Sequence, residues 1–455
     1  MNWLAHELRL LLRSRLAVAA LALLALLSAL AVLSGLREVE RQRQTIERLT
    51  ALQQQELAAQ ARKYVDGGDP GSAAYYTFHG TWDDPSPTAF LALGLRDAAP
   101  YVLRVRALAL QAQLHEGETF NPELALAGRF DFAFVLVYLA PLFVIALLYD
   151  LVSGERRSGR LGTLLAMPGA GRRLWLRRAG LRTMLVFGCL VLPVLAGALA
   201  SGTPAAAIGT VLLATAAYLA VWSGLALVVA MRSASSAANA MALMGCWAVL
   251  TLILPTLANA VLARAVPVHQ GVALMLAQRQ TVHGAWDLPP EATMEKFFRT
   301  HPQWRDTAPL PAGFHWKWYY AFQQLGDESV APQVAAYRDS LLARQHCTAR
   351  IGWLLPGVAV QAALHRQADT DLQAQLAYQQ RITEFHDRLR SFYYPYLFND
   401  VRFGAQDFAA QPRFDPTHDP AQAPIGQLLG LLLMGSAALA LGVAAAGRVR
   451  TLYPA

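Results

Sequence analysis

Residues 149–182 read YDLVSGERRSGRLGTLLAMPGAGRRLWLRRAGLR. Eight arginines (Arg156, Arg157, Arg160, Arg172, Arg173, Arg177, Arg178 and Arg182) stand against two acids, Asp150 and Glu155, and the stretch joins two apolar runs that can each cross a bilayer. An arginine at the bilayer centre costs about 2.5–3.5 kcal/mol, so this stretch stays on one side and sets the orientation of the rest. Within it, Leu161, Leu164, Leu165 and Met167 form a short amphipathic segment ending at Pro168, the pattern of a helix lying parallel to the membrane. Residues 152–182 are therefore expected to be a cytoplasmic loop gripped by a soluble partner.

Composition agrees with a membrane protein. Of 455 residues, 55% are hydrophobic and only 15% charged, well below the charged share of about 25% in soluble domains. The net charge of +8 is partitioned by side: segments assigned to the inside carry 14 arginines and three acids (Glu7, Asp150, Glu155), those outside 25 basic residues and 28 acids. The basic balance is thus a topology signal and not a nucleic-acid footprint. Three cysteines, Cys189, Cys246 and Cys347, offer no disulfide framework.

The expected fold is all-α and polytopic, with six transmembrane helices and two large, mostly helical periplasmic insertions. Residues 1–15 read as an amphipathic interfacial helix, with Leu4, Leu8 and Leu11 on one stripe and His6, Arg9 and Arg13 opposite; the plain alternative is an extension of the first span. The spans are residues 16–36, 132–151, 184–200, 205–231, 237–261 and 425–446, with Pro141, Pro193 and Pro255 inside them and a kink expected at Pro141. The first run exceeds the roughly 7–15 residues of a signal-peptide core, so it is read as a retained helix that continues outward into a polar extension. Residues 37–130 and 262–424 lie outside, and both termini, the second being the tail 447–455, lie in the cytoplasm. In the second insertion Tyr378, Ile382, Phe385, Leu389, Phe392 and Tyr396 repeat at alternating steps of four and three, a helix face that must pack.

Motifs for chemistry are missing from the sequence. None of Lys63, Lys296 and Lys317 follows Gly and precedes Ser or Thr, so no P-loop exists. H-E-x-x-H, G-x-S-x-G and C-x-x-C are absent as well, and the histidine spacings put no two ligands on one helical turn, so no metal or catalytic residue is assigned. The spans hold no ionisable residue at mid-depth, unlike a proton- or sodium-driven carrier; energy for any movement is expected from a partner ATPase. Gly426, Gly430 and Gly435 give the last span a small-residue face, for packing within the chain or against a second copy. The aromatic runs FHWKWYY (314–320) and FYYPYLF (392–398) read as core or interfacial belt, with ligand stacking as the alternative.

The second span followed by DLVSGERRSGRLGTLLAMP (150–168) resembles the inner loop of ABC-2 type permeases, and Arg13-Ser14-Arg15 resembles the end of that family's connecting helix. The outer stretches LLPGVAVQAAL (354–364) and TDLQAQLAYQQRITEFHDRLR (370–390) are similar to a bacterial branch with a large periplasmic domain of unknown function. The resemblance implies that Gly154, Glu155, Ser158, Gly159, Leu161, Thr163 and Leu164, with Leu165 and Pro168, form the coupling element that docks on the ATPase. It implies a permease subunit of the bacterial inner membrane, an exporter, that carries no cofactor of its own, ATP and Mg being held by an ABC ATPase subunit. The further partners implied are a second permease copy or sibling, membrane lipid and a periplasmic protein. The large outer segments depart from ordinary members, so a rival expectation is a mechanical transmitter that works a periplasmic partner without moving a solute. A membrane-anchored enzyme with its active site in residues 262–424 is a third, without a motif.

Overall fold

The structure is a computed structural model describing residues 3–115, 129–166, 171–232, 235–268, 271–417, 419 and 422–449. Helix α1 (Trp3–Leu12) ends at Arg13, and the Ser14 hydroxyl then accepts from the Ala17 N–H (3.4 Å) to start α2 (Arg15–Lys63). Its 49 residues run for about 73 Å at 1.5 Å per residue: an apolar half, then a polar half rich in helix formers. Next come α3 (Pro70–Tyr76), strands β1 (His79–Trp82) and β2 (Val102–Val105), and α4 (Leu110–His115). The chain continues through α5 (Phe132–Arg157), α6 (Leu161–Ala166), α7 (Arg172–Ser201), α8 (Ala205–Ala230) and α9 (Ser236–Ala265). The second insertion supplies α10 (Gly271–Gly284), α11 (Pro290–Thr300), α12 (Trp316–Gly352), α13 (Pro356–Gln367), α14 (Leu372–Phe398) and α15 (Ala405–Ala410), before α16 (Ile425–Gly447). Helices α2, α5, α7, α8, α9 and α16 are long and apolar enough to cross a membrane. This is a membrane protein.

Prolines shape two spans in the same way. Pro141 has no N–H for the carbonyl of Val137, four residues earlier. The helix widens into a π-turn over Val135–Leu139, and the orphaned Val137 carbonyl accepts from the Tyr218 hydroxyl of α8 (2.8 Å). The Trp247 indole N–H of α9 donates to the neighbouring Tyr138 carbonyl (3.1 Å). In α9 a π-turn over Ala248–Ile253 likewise runs up to Pro255. The irregularity expected at Pro141 thus lies in the turn before it, and it cross-links three spans.

The closest helix pair is α8 with α16. A Cβ on Gly224 would lie 2.3 Å from the Ala438 carbonyl carbon, and one on Gly435 2.9 Å from the Ala217 carbonyl oxygen. Absent side chains let the backbones meet, which is how helices gain dispersion contacts where lipid supplies no hydrophobic drive. Helix α9 is sparsely packed: among the described residues only Asn239, Leu243 and Thr251 are buried in it.

The two insertions form one domain. β1 and β2 pair antiparallel, His79 opposite Val105, a departure from the all-helical expectation. The aromatic runs build the core: Trp318, Tyr320 and Phe322 of α12 and Tyr393, Tyr394 and Phe398 of α14 are buried. On α14 the predicted face holds through Tyr378, Ile382, Phe385 and Leu389; it then shifts to Tyr393 and Leu397, with Phe392 and Tyr396 half-buried, because 3.6 residues per turn outruns a 3.5-residue pattern. His79 sits in this core against the Phe385 ring, and burial pushes its imidazole down to about 4.

This domain is wedged into the bundle. Phe90 fills the space above Gly35 of α2, where a Cβ would lie 2.0 Å from the Phe90 carbonyl oxygen, and its ring abuts Gly197 of α7. Asp131 accepts from the N–H groups of Phe134 and Leu93 (2.9 Å each), capping α5 and holding the Phe90 segment beside it. The Thr370 hydroxyl donates to the Ala92 carbonyl (2.8 Å), and the Ser86 and Thr88 hydroxyls donate to the carbonyls of Ala368 and Gln367 (2.6 and 2.7 Å). Helix α13 reaches the bundle itself. Its Val360 and Leu364 share one apolar core with Tyr218 and Trp222 of α8, because this stretch is apolar enough to be buried yet, at about 18 Å, too short to span.

Two measurements test this packing. Tyr218→Phe leaves the Val137 carbonyl without a donor and should cost about 1–3 kcal/mol, read as a lower unfolding temperature in detergent; an unchanged temperature would count against the π-turn account. The stabilisation from neutral His79 is complete above its unfolded value of about 6.5 and fades as pH falls towards 4. Its share of stability should drop by about 2 kcal/mol between pH 7 and pH 5, a loss that His79→Leu removes from the pH profile of thermal unfolding.

Candidate coupling surface at the arginine-rich end

The arginine-rich stretch sits where α1, α5, α6 and the start of α7 converge. Arg178, one turn into α7 beyond the fully buried Trp175, is itself buried and lies over that indole (5.7 Å to the ring centroid). Its Nε donates to Glu7 Oε1 of α1 (3.0 Å) and its Nη1 to Glu155 Oε1 at the end of α5 (2.9 Å). Glu155 also accepts from Arg160 Nε through its other oxygen (2.9 Å). Arg182, one turn further along α7, donates to the Leu147 carbonyl and stands 3.9 Å from Asp150. Each of the three acids at this end therefore faces an arginine. One guanidinium, locked by packing, joins three separate pieces of chain.

The turn between Glu155 and Leu161 has its own logic. The Gly159 N–H donates to the Arg156 carbonyl and the Arg160 N–H to the Glu155 carbonyl, both at 3.0 Å, the paired reversed bonds of a Schellman helix end. Gly159 takes φ +72°, a left-handed conformation open to glycine at no steric cost. The Ser158 hydroxyl donates back to the Glu155 carbonyl (3.0 Å). Ser158 and Gly159 accordingly stop one helix and aim the next. Ser153 and Ser236 join hydroxyls at 2.8 Å, and the Asn239 amide donates to the Tyr149 carbonyl (3.1 Å), tying the turn to the start of α9.

The residues singled out in the sequence divide by environment. Leu161 and Leu165 are buried against the bundle, Leu164 is half-buried, and Gly162, Thr163 and Ala166 face outward beside exposed Ser158, Gly159 and Arg160. Leu161 and Leu165 thus fasten α6 to its own chain, and the outward face is small and basic. Gly154 and Glu155 are half-buried; Met167 and Pro168 lie outside the described residues. On α16, Gly435 meets α8, Gly430 lies against the Trp353 ring (3.5 Å from a built Cβ), and Gly426 has nothing within 4 Å of such an atom. Arg178 and Glu7 carried no motif in the sequence; the one available signal was Glu7 itself, the lone acid of an otherwise basic first helix. Among the described residues no three His, Cys, Asp or Glu side chains are arranged so that they could hold a metal ion.

Comparison with known proteins bears on the domain built by the insertions. A family model described as a domain of unknown function, DUF3526, matches residues 272–417, which extend from α10 past α15. No curated protein and no solved structure matches the chain.

Arg178→Gln strands the Glu7 carboxylate in a confined site, leaves Glu155 with Arg160 alone, and should destabilise the protein by about 3–5 kcal/mol. Adding Glu7→Gln to that variant should restore part of the loss, and protection of α1 from limited proteolysis should follow the same order. Equal stability of the single and double variants would show that Arg178 and Glu7 do not act as a pair.

Proposed function

We propose that the protein is the permease subunit of a bacterial ATP-binding-cassette transporter of the ABC-2 type, an exporter of the inner membrane with both termini in the cytoplasm. In this reading a separate ATPase subunit binds ATP and Mg and docks on the outward face of α6, and a second permease copy or a sibling completes the pair. The observation that carries it is the mounting of α6. A short helix is fastened by Leu161 and Leu165 to the ends of spans and joined through Glu155 to Arg178, so a push on its free face reaches α5, α7 and α1 together. A near-complete switch between two arrangements takes about 5.5 kcal/mol of differential binding, beyond one surface ion pair; a packed helix suits that load.

A second reading, mechanical transmission to a periplasmic partner without solute movement, draws on α2. One uninterrupted helix of 49 residues joins the arginine-rich end to the outer domain. A solute path between two copies in a nucleotide-free state favours the exporter; closed packing throughout the cycle favours the transmitter.

Thr163→Trp and Ala166→Arg alter only the outward face. They should lower co-purification of the ATPase at least about tenfold, the effect of losing about 1.4 kcal/mol, with the permease's own unfolding temperature unchanged. Leu161→Ser should lower that temperature as well. A cysteine at Thr163 in a cysteine-free background should react with an impermeant maleimide in inverted vesicles and stay unlabelled in intact cells. Labelling from outside would overturn the orientation and with it the proposal.

A further inference from the structure

A cleft of about 1000 Å³ opens between α1, α2, α5 and α7 at the arginine-rich end. Its walls have two characters. The outer part carries Arg157, Arg160, Arg178 and Arg182 with Glu7, Asp150 and Glu155; the deeper part is lined by Ala17 and Ala20 of α2 and Ala146 and Leu147 of α5. Ala146 lies eleven residues before Arg157, so the cleft runs from the arginine-rich end back along the apolar part of α5. It borders exposed apolar surface, Leu16 of α2 being 84% exposed and Leu10 of α1 41%.

The charges do not cancel. Four arginines meet three carboxylates; Arg178 takes Glu7 and Glu155, Arg160 shares Glu155, and Arg182 faces Asp150. Arg157 is left with the Ser236 hydroxyl as its partner among the described residues (2.8 Å). A guanidinium presents its donors in a fixed fork that matches a phosphate, and this one stands at the mouth of an apolar slot. A soluble phosphate would leave that slot unfilled. A lipid phosphodiester uses both halves.

We propose that this cleft binds one anionic phospholipid of the adjoining leaflet, its phosphate on Arg157 and its upper acyl chains along Ala20 and Ala146. The site is independent of the transport reading, because it needs no ATPase and no second copy. A lipid seated there touches α1, α2, α5 and α7 at once and fills the space beside the Arg178 cluster.

The test uses the full chain, purified in mild detergent, stripped of lipid and titrated with dioleoyl phosphatidylglycerol, with bound lipid counted by native mass spectrometry. One phosphatidylglycerol should bind more tightly than dioleoyl phosphatidylcholine, and glycerol 3-phosphate at equal concentration should not displace it. Arg157→Gln should weaken phosphatidylglycerol about fivefold, the effect of one arginine near an anionic surface. Ala146→Trp, which fills the apolar end, should abolish tight binding, and Ala20→Leu closes the same end should that protein not fold. Arg172→Gln, an exposed arginine outside the cleft, should leave binding unchanged. Wild-type affinity in Arg157→Gln or in the cleft-filling variant, an equal loss in Arg172→Gln, or displacement by glycerol 3-phosphate would each overturn the proposal, the last in favour of a plain phosphate site.

Discussion

A backbone carbonyl without a donor is costly where no water can reach it, and the bundle is arranged around one such group. Pro141 frees the carbonyl of Val137, and Tyr218 must come from another span to meet it. The Trp247 indole N–H donates to the next carbonyl, that of Tyr138. These two donors fix α8 and α9 in depth and rotation against α5, something that apolar packing, being non-directional, does poorly. Once α5 is fixed, its end presents Glu155 to Arg178 and its beginning presents Asp131 to the loop around Leu93.

Both insertions are joined to the bundle by the same sort of specific contact. Phe90 enters a gap that Gly35 and Gly197 leave between α2 and α7, and α13 enters beside Tyr218. The hydroxyls of Ser86, Thr88 and Thr370 close the joint between the insertions. The domain built by the insertions is therefore continuous with the bundle, and the polar half of α2 runs along it, with the Gln53 side chain accepting from the Gly80 N–H of β1 (2.9 Å).

Much of the architecture was legible in the sequence because its causes are local. Hydropathy gave six spans, helix formers after Leu36 gave the extension of α2, and the packed face of α14 followed from its apolar period. What escaped depends on distant partners. No periodicity in residues 354–364 says that this stretch packs between α8 and α16, since a short apolar helix reads alike in a soluble core and in a bundle. The pairing of β1 with β2 links segments twenty residues apart, each only four residues long. At the candidate site the leucine stripe was visible and its direction was not: an amphipathic helix announces a buried face without naming what buries it. Arg178 was one of eight arginines in its stretch, and only the fold picks it out.

The contact between α8 and α16 limits how the protein can change shape. With Gly224 against Ala438 and Gly435 against Ala217, main chain touches main chain, and no rotamer is present to yield. Close-packed interiors shift between discrete arrangements and do not deform smoothly. The pair accordingly behaves as a single girder. Sliding is confined to seams where side chains intervene, so this girder is the stationary frame against which any movement of the other spans is to be measured.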